Sequence, residues 1–244
     1  MTRTARYTAA AILAAFLAVH NLSGCSPRAR QAETTWRANC QENLKQLGIV
    51  LRMYAEEHGG VYPKLREEPG QLMFRCEDVH PEYLADPFIL ICPAAGEDIG
   101  EPPPASENPQ WYFEPRVYWY LGYAMANEEQ GRAFLDAYRA QATTGDKVIT
   151  DEDLADADGT PIRRLYERVE RDVAKDLNIP VNSPRHASLP STIPTMIERL
   201  GHHKGGANVL YLDGHVEFIA YPGKWPMTKD FIQGLESLDE LREQ

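Results

Sequence analysis

Cysteine is scarce, with four in 244 residues, and no two of them are spaced Cys-x-x-Cys. Zinc ribbons and thioredoxin-like redox chemistry therefore lack their usual framework. Positive charge is in deficit too: 25 Lys and Arg against 36 Asp and Glu give a formal charge of −11. That balance argues against nucleic acid or any other phosphate-rich partner. No apolar run reaches the roughly 20 residues of a bilayer-spanning helix. Gly-x-Ser-x-Gly, a phosphate-binding glycine loop and His-Glu-x-x-His are all missing. Ser188 and Ser191 do lie near His186, but in a proline-rich loop. No nucleophile comes with a base and an orienting group, so the expectation is a non-enzymatic chain.

What is present begins with an export signal. Arg3 and Arg6 precede an apolar run from Thr8 to Val19, closed by Leu22-Ser23-Gly24-Cys25. The ending resembles the lipobox of bacterial lipoproteins. The resemblance implies that residues 1–24 are a signal peptide, and that Cys25 is acylated and anchors the chain to a membrane by lipid. Ser26 then points to outer-membrane sorting. Export places Cys40, Cys76 and Cys92 in a disulfide-permissive space, where an odd number allows one internal pair at most. Cys40–Cys92 is the preferred bridge because it would tie a long helix to the next layer, with Cys76–Cys92 left open.

After a linker at 25–33, the stretch Thr34 to His58 carries Trp36, Cys40, Leu44, Leu47, Leu51, Tyr54 and His58 at steps of three and four. That spacing predicts one long helix with a single sticky stripe, stopped by Gly59-Gly60, and it asks for a broad covering layer. Pro81 to Pro87 reads as a short helix, and Phe88 to Cys92 as a buried extended run. Val117 to Tyr123 reads as a strand, followed by a helix capped by Asn127. Lys147 to Thr150 suggests a further short strand, and a second helix is expected from Pro161 through Leu177. Residues 178–195 read as loop. Asn208–Leu212, Asp213-Gly214 and His215–Ile219 form a hairpin with a two-residue turn, opposing Tyr211 to Val216, Val209 to Phe218 and Leu210 to Glu217.

Taken together, the Cys40–Gly48 helix segment, Tyr54, His58-Gly59, Pro81–Leu84, Cys92-Pro93, and His203 followed by nine residues and Asp213-Gly214-His215-Val216-Glu217 resemble a bacterial group. The chain is similar to prepilin-type proteins with a C-terminal H-X9-DG domain, relatives of the G-type pseudopilins of type II secretion. The resemblance implies an α+β, pilin-like fold in residues 34–222: a long N-terminal helix packed on an antiparallel sheet, with a helical insertion at about 124–178 and a C-terminal tail at 223–244. It also implies His203, Asp213, Gly214 and His215 as the family motif. One departure stands out. Prepilins follow the leader glycine with Phe-Thr-Leu-x-Glu and a long apolar helix, whereas here Cys25-Ser26-Pro27-Arg28-Ala29 follows Gly24.

The function expected is a lipid-anchored, pseudopilin-like structural or assembly protein of the cell envelope, facing periplasm or exterior, with envelope or secretion-system proteins as partners. The alternative is an envelope domain binding a ligand or a transition metal through His203, Asp213 and His215, with His202 adjacent. The acidic run Asp151 to Asp158 invites calcium, though it does not match the EF-hand pattern. No cofactor is expected, with calcium or a transition metal as the alternative.

Overall fold

The computed structural model describes residues 27–144, 147, 148 and 150–243. Among them six helices and a four-stranded antiparallel sheet form a mixed α+β architecture. Helix α1, Pro27–Glu57, begins nine residues before the first residue of its apolar stripe, Trp36. The expected linker is thus helical from Pro27, a residue suited to a first helical turn because it has no N–H to satisfy there. Cys40, Leu44, Leu47, Leu51 and Ala55 are buried along one face. Trp36, at the near end of the stripe, is instead 42% exposed. The helix stops as its glycines predict: Gly59 and Gly60 have φ of 65° and 85°, and the Gly60 N–H reaches back to the Ala55 carbonyl at 2.8 Å.

The sheet order is β1 (Tyr118–Tyr120), β4 (Pro194–Glu198), β5 (Gly206–Tyr211) and β6 (Val216–Ala220), every pair antiparallel. Helix α1 lies across it. The Arg37 guanidinium sits 3.7 Å above the Phe218 ring, and a Cβ on Gly48 would stand 3.2 Å from the Leu210 side chain. Farther along, Arg52 donates to the Leu212 carbonyl at 3.2 Å. The absence of a side chain at Gly48 is what lets helix and strand approach this closely.

The hairpin is present, but its register is one residue away from the expected one. Leu210 opposes Val216, Val209 opposes Glu217 and Asn208 opposes Phe218. The Tyr211 N–H bonds to the His215 carbonyl, so the loop holds three residues, Leu212 to Gly214. The cause lies outside the hairpin: the Leu212 N–H donates to Ile193 at 2.9 Å and its carbonyl accepts from Arg52, which withdraws Leu212 from pairing with its own partner strand. Gly214 takes the left-handed position that closes such a loop, with φ of 90°.

Several other expectations are corrected. The extended run Phe88–Cys92 is a 3₁₀ turn over Pro87–Leu90, started by the Asp86 carboxylate, which accepts the Phe88 N–H at 3.0 Å. The short helix α2 occupies Cys76–Val79 and not Pro81–Pro87. Helix α3, Glu128–Thr144, is capped by Asn127 as read, its side-chain oxygen accepting the Gln130 N–H. No strand occurs at Lys147 to Thr150 among the described residues. The insertion is only partly helical: β2 (Leu154–Ala155) and β3 (Pro161–Ile162) form a small hairpin, and α4 starts only at Val169, ending at Asp176. The Asp156 carboxylate holds the N–H groups of Asp158 and Thr160, bending the chain into a turn where a helix start was expected.

Residues 184–187 form a further short helix, α5 (Pro184–Ala187). The C-terminal segment is no tail. Thr228 caps helix α6, Lys229–Asp239, which buries Phe231, Ile232, Leu235 and Leu238. It packs on α3 without clearance: a Cβ on Gly131 would fall 2.9 Å from Phe231, and one on Gly234 would fall 2.2 Å from Leu135. Asp239 also pairs with Arg199, which follows β4. Apolar residues at 231, 232, 235 and 238 carry helical spacing, and that stripe is what makes the segment part of the core.

Candidate functional site

Three separate stretches converge at one end of the sheet. Strand β4 ends at Glu198, and the chain returns through His202 and His203 to enter β5 at Gly206. Helix α1 presents Cys40 on its buried face, and Cys92 follows the Pro87–Leu90 turn. Ligand-type atoms of Cys40, Cys92, Glu198 and His203 all lie within 4.8 Å of one another, and all four residues are buried. His203 Nε2 stands 3.7 Å from Cys92 Sγ and 3.3 Å from Glu198 Oε1.

The surroundings orient these groups. Glu198 Oε2 accepts hydrogen bonds from the Asn208 side-chain amide at 2.7 Å and from its backbone N–H at 3.3 Å. Glu198 Oε1, turned toward the cluster, has no hydrogen-bond partner among the described residues. His202 Nδ1 is likewise buried without a partner and stands 3.8 Å from that oxygen, beyond hydrogen-bond reach. The Cys92 sulfur accepts the N–H of Ala94 at 3.3 Å.

Burial alone would raise the Glu198 carboxyl, but the neighbouring imidazoles outweigh it and hold the group below the usual carboxylate range. His203 moves the opposite way. Burial would lower it, and the Cys92 sulfur and Glu198 carboxylate overcome that and raise it. The Cys92 thiol is pushed well up by its hydrogen bond to Cys40 and by burial. Two thiols, an imidazole and a carboxylate closed off from water are a set that binds a soft or borderline cation, or that oxidises to a disulfide at its two sulfurs.

No protein-family model, no curated protein and no solved structure matches this chain. The site therefore rests on its own geometry.

That geometry divides the residues singled out in the sequence. Cys40 and Cys92 are brought together, but as two thiols and not as the bridge expected. Cys76 stands apart as a buried thiol pushed up to about 11 by burial and by Glu77. His203 is in the cluster, but the ligand set His203, Asp213 and His215 does not form. Strand β5 runs between them, and its six residues at about 3.3 Å each keep the two ends roughly 20 Å apart. At the far end, His215 Nδ1 bonds to Asp213 Oδ1 at 2.6 Å and its ring stacks on Tyr211 with centroids 4.4 Å apart.

In the acidic run, Asp156 holds its own turn and Asp153 accepts from the Arg164 N–H, so these two carboxylates are occupied locally. Cys25 and the leader lie outside the described residues. Sequence reasoning missed Glu198, because the loop assigned to 178–195 left Pro194–Glu198 without an element. Its signal was short but present: Thr195-Met196-Ile197 is β-favouring and follows a proline at the only strand position that tolerates one easily.

Proposed function

We propose that the chain is an exported, lipid-anchored, pseudopilin-like structural or assembly protein of the bacterial cell envelope, acting through protein contacts and not by catalysis. The observation that carries this reading is the long helix α1 laid across one face of a four-stranded antiparallel sheet, with the Asp213-Gly214 hairpin as its last two strands. This is the arrangement that the helix segment and the H-X9-DG spacing imply together. The outer side of α1 adds support. Ile49 and Met53, one turn apart, are 59% and 44% exposed, which offers an apolar contact to a neighbouring protein. No described helix is long and apolar enough to cross a membrane; attachment is assigned to the lipid that the Leu22-Ser23-Gly24-Cys25 ending implies on Cys25.

The test is intact mass and N-terminal peptide mapping of the protein made from its own leader in a bacterial host. The expected mature chain starts at acylated Cys25. A chain that keeps Met1 or that starts elsewhere without acyl groups overturns the lipid-anchored reading.

A further inference from the structure

We propose that Cys40, Cys92, Glu198 and His203 bind one zinc ion in a closed four-ligand centre that fastens the long helix to the sheet. The donor set is the first argument. Thiolate, imidazole and carboxylate are the three ligand types zinc takes in proteins, and four protein ligands with no open position mark a structural centre. Distance is the second. Zinc stands about 2.3 Å from sulfur and about 2.0–2.1 Å from nitrogen or oxygen, so a tetrahedral site spaces its N and O ligands by about 3.3 Å and its S and N ligands by about 3.5–3.6 Å. Here His203 Nε2 is 3.3 Å from Glu198 Oε1 and 3.7 Å from Cys92 Sγ. No pair in the cluster exceeds 4.8 Å, so the widest separation closes by about 1.0–1.3 Å at most to reach a tetrahedral edge that includes sulfur.

The third argument is polar satisfaction. Glu198 is fully buried, and Oε1 faces the cluster with no hydrogen-bond partner among the described residues, while Oε2 is held by Asn208. One oxygen fixed from outside and one turned into the cluster, where it meets the His203 ring nitrogen at 3.3 Å, is how a ligating carboxylate is oriented. The Ala94 N–H directed at Cys92 Sγ plays the same supporting part for a thiolate. On binding, zinc displaces the two thiol protons and the imidazolium proton that His203 holds against Glu198, all three passing to solvent, and the ion offsets two of the ligands' three negative charges.

The centre does not depend on the envelope reading, and a failed acylation experiment leaves it standing. It is tested on the full chain by elemental analysis after exhaustive dialysis, combined with non-reducing peptide mapping. The expected result is one zinc per chain, with Cys40 and Cys92 recovered as thiols. Cys76→Ser keeps the metal, and Cys40→Ser and Cys92→Ser lose it. Asn208→Ala, which leaves all four ligands in place, weakens zinc affinity by roughly 10–100-fold. A folded, metal-free chain overturns the proposal, whether its two sulfurs are found as a disulfide or as free thiols. Zinc retained by Cys92→Ser overturns it equally. Should the serine variants fail to fold, the parent protein decides: chelator-stripped and reloaded with cobalt(II), it must show a thiolate-to-cobalt charge-transfer band with tetrahedral d–d absorption. A spectrum without them overturns the centre.

Discussion

The two ends of β5 carry the same chemistry in opposite settings. At each, a histidine stands beside a carboxylate: His203 with Glu198 at one end, His215 with Asp213 at the other. The first pair has no exposed side-chain surface, while the second is 40% and 38% exposed. In water the His215–Asp213 contact is a local clasp on a turn, screened and weak. Out of water the His203–Glu198 pair determines what can surround it, because a buried charge left without a partner is far more costly than an exposed one. Residue type alone does not distinguish ligand from turn residue; the depth of the strand end does.

The comparison breaks most visibly at the buried end. His203→Ala removes the imidazole that faces the buried Glu198 carboxylate, leaving it the Asn208 hydrogen bonds alone, and is expected to cost about 3–5 kcal/mol in urea unfolding. A loss under about 1 kcal/mol would mean the buried pair is not coupled as described. An intermediate effect is expected at the exposed turn, where the backbone and not the side-chain pair carries the constraint. Gly214 has φ of 90°, so Gly214→Val should lower stability by about 1–3 kcal/mol. An unchanged thermal midpoint would refute the three-residue loop. The smallest effect belongs to His215→Ala, which removes a surface contact and a ring stack and should stay within about 0.5 kcal/mol of the parent. If it instead matched His203→Ala, depth would not be the deciding variable.

Much of the frame was legible because it rests on local periodicity. The α1 stripe, its glycine stop, the Asn127 cap and the hairpin all follow from spacing over a few residues. What was not legible was decided by distant partners. Leu212 looked like the last residue of a strand and is drawn out of register by Ile193 and Arg52, both remote in sequence. The segment after Gly223 looked like a tail because its apolar spacing acquires meaning only against α3. The candidate site was half visible. The nearness of Cys40 and Cys92 was anticipated, though as a disulfide, and His203 was named with the wrong companions, whereas Glu198 was hidden in a five-residue strand too short to show alternation.

The cluster also bears on the order in which the chain can close. Its first member is residue 40 and its last is residue 203, so the anchoring point of the earliest helix is not completed until most of the polypeptide exists. Contacts of such long sequence span form late and slowly, because the intervening loop must be gathered before anything is gained. Until β4 and β5 are made, the part of the α1 apolar face that lies on the sheet lacks its final partner.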